Sequence, residues 1–157
     1  MPDSRSLNEQ ALISTVTQLN RTYRRLVDRA LAVHGLSAAK ALPVIFISRL
    51  GDGVRQGVLA DQLGIEGPSL VRQIDLLQES GLVERRDDPV DRRAKGLYLT
   101  PTGHNLAMLT EKLLFDLRRQ VLSQVSDADL ALTLRTMQSF ENTVHAALDT
   151  SNPTDKL

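Results

Sequence analysis

The chain has 157 residues, 41% of them apolar, which suits one domain with helical extensions and excludes wholesale disorder. It contains no cysteine, and this excludes a disulfide framework, a thiolate nucleophile and a zinc site with cysteine ligands. Its 19 basic and 19 acidic side chains cancel, so any binding of nucleic acid has to rest on the local placement of charge.

Targeting and metal signals are absent from the sequence. No apolar run approaches the roughly 18 residues that a membrane span needs, and the polar start MPDSRSLNEQ lacks the apolar core of a signal peptide. The three histidines, His34, His104 and His145, are far apart and have no second ligand at metal spacing. We therefore expect a cytoplasmic protein with no membrane contact, no metal site and no cofactor.

Long helices are predicted at both ends of the chain. The N-terminal helix ends at Gly35, and its apolar residues recur at spacings of four and three: Leu12, Val16, Leu19, Tyr23, Leu26 and Ala30. Two similar seams follow near the C-terminus: Leu106, Leu109, Leu113, Leu117 and Val121, then Leu130, Leu134, Met137, Val144 and Leu148. These seams can pack inside one chain or against a second copy. We favour the second copy, because a chain with 3% aromatic residues has limited means of burying them alone.

The middle of the chain, from Leu36 to Gly103, is compact and punctuated by glycine. Ser37 can cap a helix that runs to about Leu50, and Pro43 inside it should kink the helix or displace its start. A turn at Gly51-Asp52-Gly53 precedes a short helix from about Gln56 to Leu63, which Gly64 ends. A second helix opens at Gly67-Pro68-Ser69 and continues to about Ser80, where Gly81 stops it.

These two short helices form a helix-turn-helix pattern, although two ordinary core helices would look similar. With Leu70, Ile74 and Leu77 facing inward, the outward residues of the second helix are Pro68, Ser69 and Arg72, with Gln73 beside them. Arginine matches guanine, glutamine matches adenine, and serine can bond a base or a phosphate. Glu66, Asp75 and Glu79 would repel DNA if they faced it. The pattern predicts a recognition helix for a major groove.

A charged hairpin follows the second helix. Val83 to Arg86 and Leu97 to Thr100 alternate like strands, and the loop from Asp87 to Lys95 would project as a wing with Arg92 and Arg93 at its tip. Asp91 can accept hydrogen bonds that aim an arginine. Taken alone, this segment would be interpreted as a charged surface hairpin. Because it directly follows a helix-turn-helix, a winged helix is favoured instead. Asp87, Asp88 and Asp91 resemble an acidic metal cluster, but the neighbouring arginines argue against one. Thr100-Pro101 is predicted to cap the next helix.

Together these motifs resemble a known family. The stretch from Leu63 to Gly103, with GIEGPSLVRQIDLL, SGLVER, DRRAK and LTPTG, closely resembles the winged helix-turn-helix of the MarR family and, within it, the SlyA subgroup. The resemblance implies an obligate homodimer on a pseudo-palindromic operator in double-stranded DNA. It places the family's wing pattern on Asp91 and Arg93, with Arg93 or Arg92 in the minor groove, and its recognition-helix contacts on Ser69 and Arg72 beside Pro68. Many members also bind small phenolic or anionic effectors.

The expected fold class is mainly α with a small β-hairpin, a winged helix-turn-helix with N- and C-terminal dimerisation helices. The expected segments are 1–34 for N-terminal dimerisation, 35–103 for DNA binding, 104–150 for C-terminal dimerisation and 151–157 as a flexible tail. The expected function is a nucleoid-associated transcriptional regulator, a repressor, that contacts DNA through Pro68, Ser69, Arg72, Gln73, Asp91, Arg92, Arg93 and Lys95. The alternative is an architectural DNA-binding protein or anti-silencer without an effector. An enzyme is disfavoured, because no catalytic motif is present.

Overall fold

The computed structural model describes residues 3–87 and 95–150, which contain six helices and three short strands. In chain order the elements are α1 (Ser4–Ala32), α2 (Ala38–Leu50), β1 (Val54–Arg55), α3 (Gln56–Leu63), α4 (Gly67–Glu79), β2 (Val83–Asp87), β3 (Lys95–Leu99), α5 (Pro101–Val121) and α6 (Asp127–Thr150). The predicted class, mainly helical with a small antiparallel sheet, is confirmed. The chain divides into two compact units, Met1–Leu117 and Arg118–Leu157. The four segments expected from the sequence stay a prediction, and the tail 151–157 lies outside the described residues.

Within the first unit, the helix-turn-helix begins and ends close to the predicted residues. The short helix α3 spans Gln56–Leu63, and Gly64 ends it in the left-handed conformation with φ of 62°. The second helix α4 opens at Gly67 and ends at Glu79, shortly before Gly81, which has φ of 66°. Glycine adopts this backbone conformation without the steric cost that a Cβ adds, so both stops follow directly from the sequence.

In α2, one of the two effects expected of Pro43, a displaced helix start, does not occur. The helix starts at Ala38, directly after Ser37, and runs through the buried Pro43 to Leu50, so its start is not displaced. Proline removes the hydrogen bond to the carbonyl four residues earlier, that of Ala39, and Ala39 is exposed, so water can hydrate this group. Ser37 holds the cap position through its carbonyl, which accepts the Ala41 N–H at 2.9 Å, and its side chain makes no capping bond.

The sheet has three strands in the order β1-β3-β2, one more than the predicted hairpin. Strand β2 pairs antiparallel with β3, and β1 pairs with the other edge of β3, with Val54 opposite Leu97. The approach of β1 depends on two glycines, because a Cβ on Gly96 would lie 2.9 Å from the Cα of Gly53. The hairpin is thus confirmed, and the extra strand was missed because two residues are too few to show an alternating pattern.

Two hydrophobic clusters hold the first unit together, and α2 contributes to both. The first cluster fills the space between the helix-turn-helix and the sheet, and its buried residues are Val44, Ile47, Leu59, Ala60, Leu63, Leu70, Ile74, Leu77, Leu82, Val83, Leu97, Leu99 and Ala107. The second joins the C-terminal half of α1 to α2 and α5, through Val27, Leu31, Ala41, Ile45, Leu114 and Leu117. Because α2 packs on two sides, the DNA-binding module and α1 are parts of one packed body.

The joint between the wing and α5 confirms the predicted cap at Thr100. The Gly103 N–H donates to Thr100 Oγ1 at 3.0 Å, and the Thr100 hydroxyl donates to the Gly81 carbonyl at 2.6 Å. The Thr100 N–H donates to the Leu82 carbonyl at 3.1 Å. Gly103 packs so tightly here that a Cβ would lie 2.1 Å from the Leu82 oxygen. The start of α5 is therefore fixed against the turn that connects α4 to β2.

The long helices leave much of their apolar seams exposed. In α1 the residues before Tyr23 are exposed, among them Leu12, Val16 and Leu19. In the second unit, α6 buries no side chain over 127–149, and four of its five seam residues are exposed large apolar ones: Leu130, Leu134, Val144 and Leu148. Across the described ranges, none of the helices is both long enough and apolar enough to cross a membrane.

Candidate nucleic-acid interface

The recognition helix predicted from the sequence is α4, an amphipathic helix with one fully buried face. Leu70, Ile74 and Leu77 are at most 1% exposed and pack into the first cluster. Because a helix repeats every 3.6 residues, this fixes Arg72 on the opposite side, where it is exposed with Pro68 and Ser69. Gln73 lies on the flank and is half-buried, so it is less accessible than these three residues.

Arg72 differs from the other cations nearby in its surroundings. Over residues 3–87 and 95–150, no hydrogen-bonding group or carboxylate of the chain holds its guanidinium. It projects from the second turn of α4, where recognition helices meet base edges. An exposed guanidinium with five N–H donors and no internal partner is available to a guanine or a phosphate.

The turn before α4 sets the angle between the two helices. Gly64 and Ile65 donate backbone hydrogen bonds to the carbonyls of Asp61 and Ala60, at 3.2 and 3.1 Å. Arg24 of α1 reaches this turn, and its Nη2 donates to the Leu63 carbonyl at 3.2 Å. A cation at the C-terminal end of α3 is favourably placed against the helix dipole. The helix-turn-helix is thereby tied to the long N-terminal helix, a contact that could not be predicted from patterns along the chain.

The wing strands carry three basic side chains that are paired with carboxylates of the same chain. Lys95, expected as a DNA contact, forms an ion pair with Asp87 opposite it in the sheet. Arg86 pairs with Glu84 at 3.0 Å and lies over the Tyr98 ring, 4.6 Å from its centroid. Arg85 pairs with Asp75 of α4 at 2.6 Å. The negative charge of Asp75 is therefore compensated by Arg85. The repulsion of DNA that the sequence suggested for Asp75 is reduced by this ion pair.

The wing tip lies outside the described residues. Asp91, Arg92 and Arg93, expected as minor-groove contacts, fall there together with Asp88. Among the residues that are described, no group of three or more histidine, aspartate or glutamate side chains could hold a metal ion. The described part of the hairpin consists of β2, which ends at Asp87, and β3, which begins at Lys95, and these two residues lie opposite each other in the sheet.

Comparison with known proteins gives this geometry a family context. A family model described as MarR family matches residues 34–94, which include α2, α3, α4 and β2. The crystal structure of transcriptional regulator PA3341 is 32% identical, with a TM-score of 0.80, and the alignment covers 86% of this chain and 98% of that one.

Two further structures that match this chain are complexes with a bound molecule. The structure of CouR from Rhodococcus jostii RHA1 bound to p-coumaroyl-CoA is 25% identical with a TM-score of 0.70, covering 80% of this chain and 87% of that chain. The Staphylococcus aureus MepR–DNA complex is 17% identical with a TM-score of 0.71, covering 82% of this chain and 93% of that chain, and at this identity it supports the fold alone.

Proposed function

Because the chain belongs to the MarR family of transcriptional regulators, we propose that it is a SlyA-like repressor that binds a pseudo-palindromic operator as a homodimer. Its general activity, DNA-binding transcriptional regulation, follows from the family. The observation that supports the specific proposal best is the outward face of α4, where the exposed Pro68, Ser69 and Arg72 stand opposite a buried face. In a dimer two such helices enter successive major grooves, about one helical turn of DNA apart.

Base and phosphate contacts are divided between the helix and the wing in this proposal. Arg72 reads a guanine edge, Ser69 bonds a base or a phosphate, and Gln73 adds a contact from the flank. Arg93, or Arg92 beside it, enters the minor groove, and Asp91 orients the arginine. Lys95 sits at the base of the wing and contacts phosphate while its pair with Asp87 limits its reach.

The proposed dimer interface is formed by the exposed seams of the long helices. The α6 seam contains Leu134, which is 56% exposed, and the N-terminal half of α1 exposes Leu12, Val16 and Leu19. Soluble monomers rarely expose apolar patches this long, and paired helix seams bury each other efficiently. A second copy has the same seams, so a two-fold interface buries the apolar residues of both chains at once.

Release by a small phenolic or anionic molecule completes the proposal. It is supported by CouR, a family structure bound to p-coumaroyl-CoA, which is both phenolic and anionic. Such a molecule has to bind more tightly to the dimer conformation that cannot fit the operator than to the conformation that can, the two differing in the distance between the DNA-binding lobes. A ligand shifts an equilibrium only through such a difference in affinity. The effector pocket has no assigned residues in this proposal.

Selection from a random duplex pool tests the operator. The purified full chain should enrich inverted repeats with centres about one helical turn apart, and two chains should bind each duplex. Footprinting of the enriched site with and without p-coumarate then tests release. Enrichment of an asymmetric sequence by one chain would contradict the dimeric operator. A footprint that resists a panel of phenolic acids would favour the architectural protein without an effector.

A matched pair of substitutions on α6 tests the dimer. Leu134 and Leu132 are both 56% exposed, but they lie on opposite faces of the helix and only Leu134 belongs to the seam. Leu134→Arg should give monomers in sedimentation, because each chain would bury an unpaired cation in the proposed interface, and Leu132→Arg should remain dimeric. A dimeric Leu134→Arg protein, or two equally dissociated variants, would argue against this seam.

A further inference from the structure

Arg85 on β2 is held by groups from two other elements. Its side chain is 22% exposed, and its guanidinium contacts the Asp75 carboxylate at 2.6 Å and the Gln78 side-chain oxygen at 3.0 Å. Its Nη2 is also 3.5 Å from the Val71 carbonyl. With the Gln56 amide turned so that its oxygen faces the guanidinium, that oxygen accepts from Nε and Nη2 at 3.1 and 3.0 Å. Arg85 thus joins the base of the wing to the start of α3 and to two turns of α4.

The geometry of these acceptors suits an arginine and no other residue. Val71, Asp75 and Gln78 follow each other at spacings of four and three, so they form one flank of α4. The flat guanidinium offers five N–H donors in a fixed arrangement, and it can bond several acceptors at once where lysine has a single charged point. These contacts oppose rotation of α4 about its axis and movement away from the sheet.

The contacts also determine the charge beside Arg72. The Asp75 side chain is 52% exposed and is three residues from Arg72, so the two are neighbours on the helix surface. An unpaired carboxylate at this position would repel phosphates, while the pair with Arg85 is close to neutral. The pairing also engages Arg85 itself, so this cation is not available for phosphate contact.

We propose that Arg85 is a positioning residue for DNA recognition, which holds α4 at the depth and rotation that base contact requires and neutralises Asp75 without touching DNA. The inference rests on the proposed role of α4 as the recognition helix. It predicts a larger effect on discrimination between sequences than on general affinity for DNA, because sequence information comes from base contacts and non-specific affinity from phosphate contacts.

The test compares binding of the full chain to its selected operator and to a random duplex, by fluorescence anisotropy between about 50 and 200 mM salt. Arg85→Gln should weaken operator binding by about tenfold or more, comparable to losing one base contact. Random-duplex affinity should fall only slightly, because the uncovered Asp75 carboxylate repels phosphates of any sequence, and the salt slope should stay close to its wild-type value. Arg85→Lys, which keeps the charge near Asp75, should recover part of the discrimination.

Two further variants separate positioning from stability. Arg49→Gln removes another ion pair of the first unit, with Glu111 at 2.8 Å, and should leave discrimination unchanged. Asp75→Asn, at an exposed helical position that tolerates the change, leaves the charge of Arg85 uncompensated beside the DNA while its hydrogen bonds to Gln56 and Gln78 remain. It should raise random-duplex affinity and steepen the salt slope by about one contact, and so lower discrimination even if Arg85→Gln folds poorly.

The outcomes are distinguishable. If Arg85→Gln weakens both duplexes equally and makes the salt slope shallower, Arg85 contacts phosphate itself and the inference is wrong. The inference also fails if discrimination survives in both Arg85→Gln and Asp75→Asn. A wild-type protein that cannot distinguish its selected operator from a random duplex would instead overturn the proposed function, and the inference with it.

Discussion

Replacing Gly103 with alanine should destabilise the joint between the wing and α5. The new Cβ would lie 2.1 Å from the Leu82 oxygen and 3.1 Å from its carbonyl carbon, where real Cβ atoms essentially never come closer than 3.0 Å. The obstacle is backbone, which cannot rotate aside as a side chain can. Either the start of α5 or the turn before β2 therefore has to move by roughly 1 Å, an overpacking strain.

The size of the effect follows from what this movement disturbs. Overpacking in a well-packed region costs about 1–3 kcal/mol. The same movement stretches the two hydrogen bonds that Thr100 donates, to Leu82 at 3.1 Å and to Gly81 at 2.6 Å. Each contributes about 1 kcal/mol when intact, and both are weakened rather than lost. A total of about 2–4 kcal/mol lowers the Tm by roughly 4–16 °C for a chain of this size.

Thermal unfolding followed by circular dichroism at one fixed protein concentration measures the shift, because the Tm of an oligomer depends on concentration. Gly57→Ala is the matched control, since Gly57 lies in the first turn of α3 and, apart from its own helix, no part of the chain that the structure describes comes within 4 Å of a new Cβ. Alanine there should stabilise the helix by up to about 1 kcal/mol, so the same chemical change has opposite signs at the two positions. A Gly103→Ala protein as stable as the wild type would refute the close packing described for this joint.

Three other substitutions test separate parts of the molecule. Thr110 is fully buried in α5, and none of the described residues forms a hydrogen bond with its hydroxyl. Thr110→Val should therefore stabilise the protein by about 1 kcal/mol in denaturant unfolding, and a loss of stability would mean that the hydroxyl is satisfied in solution. Arg72→Ala should weaken operator binding by about 1–3 kcal/mol and relax base preference at one position per half-site in a competition series; unchanged binding would remove Arg72 from the interface. Arg93→Ala should weaken binding and reduce the salt slope by about one contact per chain, and an unaltered slope with unaltered affinity would exclude the wing.

Local signals in the sequence were sufficient to predict the helix-turn-helix. Gly64, Gly81 and Thr100 each end or start an element through their own backbone or side-chain chemistry, and the structure has them in those roles. The inward face of α4 followed from the spacing of its leucines and isoleucine, because one helical period fixes a whole face.

Features that depend on residues distant in sequence could not be predicted in the same way. Strand β1 exists because Gly53 and Gly96 allow two backbones to approach, although they are far apart in the chain. Arg85 could be placed on the inner face of β2 by alternation alone. Its partners come from α3 and α4, and only the packed structure shows that they meet at one guanidinium. A pattern along the chain predicts orientation, whereas pairing requires the tertiary fold.

The same pairing explains how a chain with no net charge can bind a polyanion. On the described part of the wing, Arg86 and Lys95 are matched by carboxylates of their own sheet, and Arg85 is matched by Asp75. Arg72 on the outward face of α4 has no such partner among the described residues. Because counterion release counts only the cations that meet phosphate, the salt slope should reflect a few cations per chain rather than all 19 basic side chains. Neutrality of the whole chain then favours sequence-specific binding, since it weakens the non-specific affinity that a uniformly basic surface would add at every site.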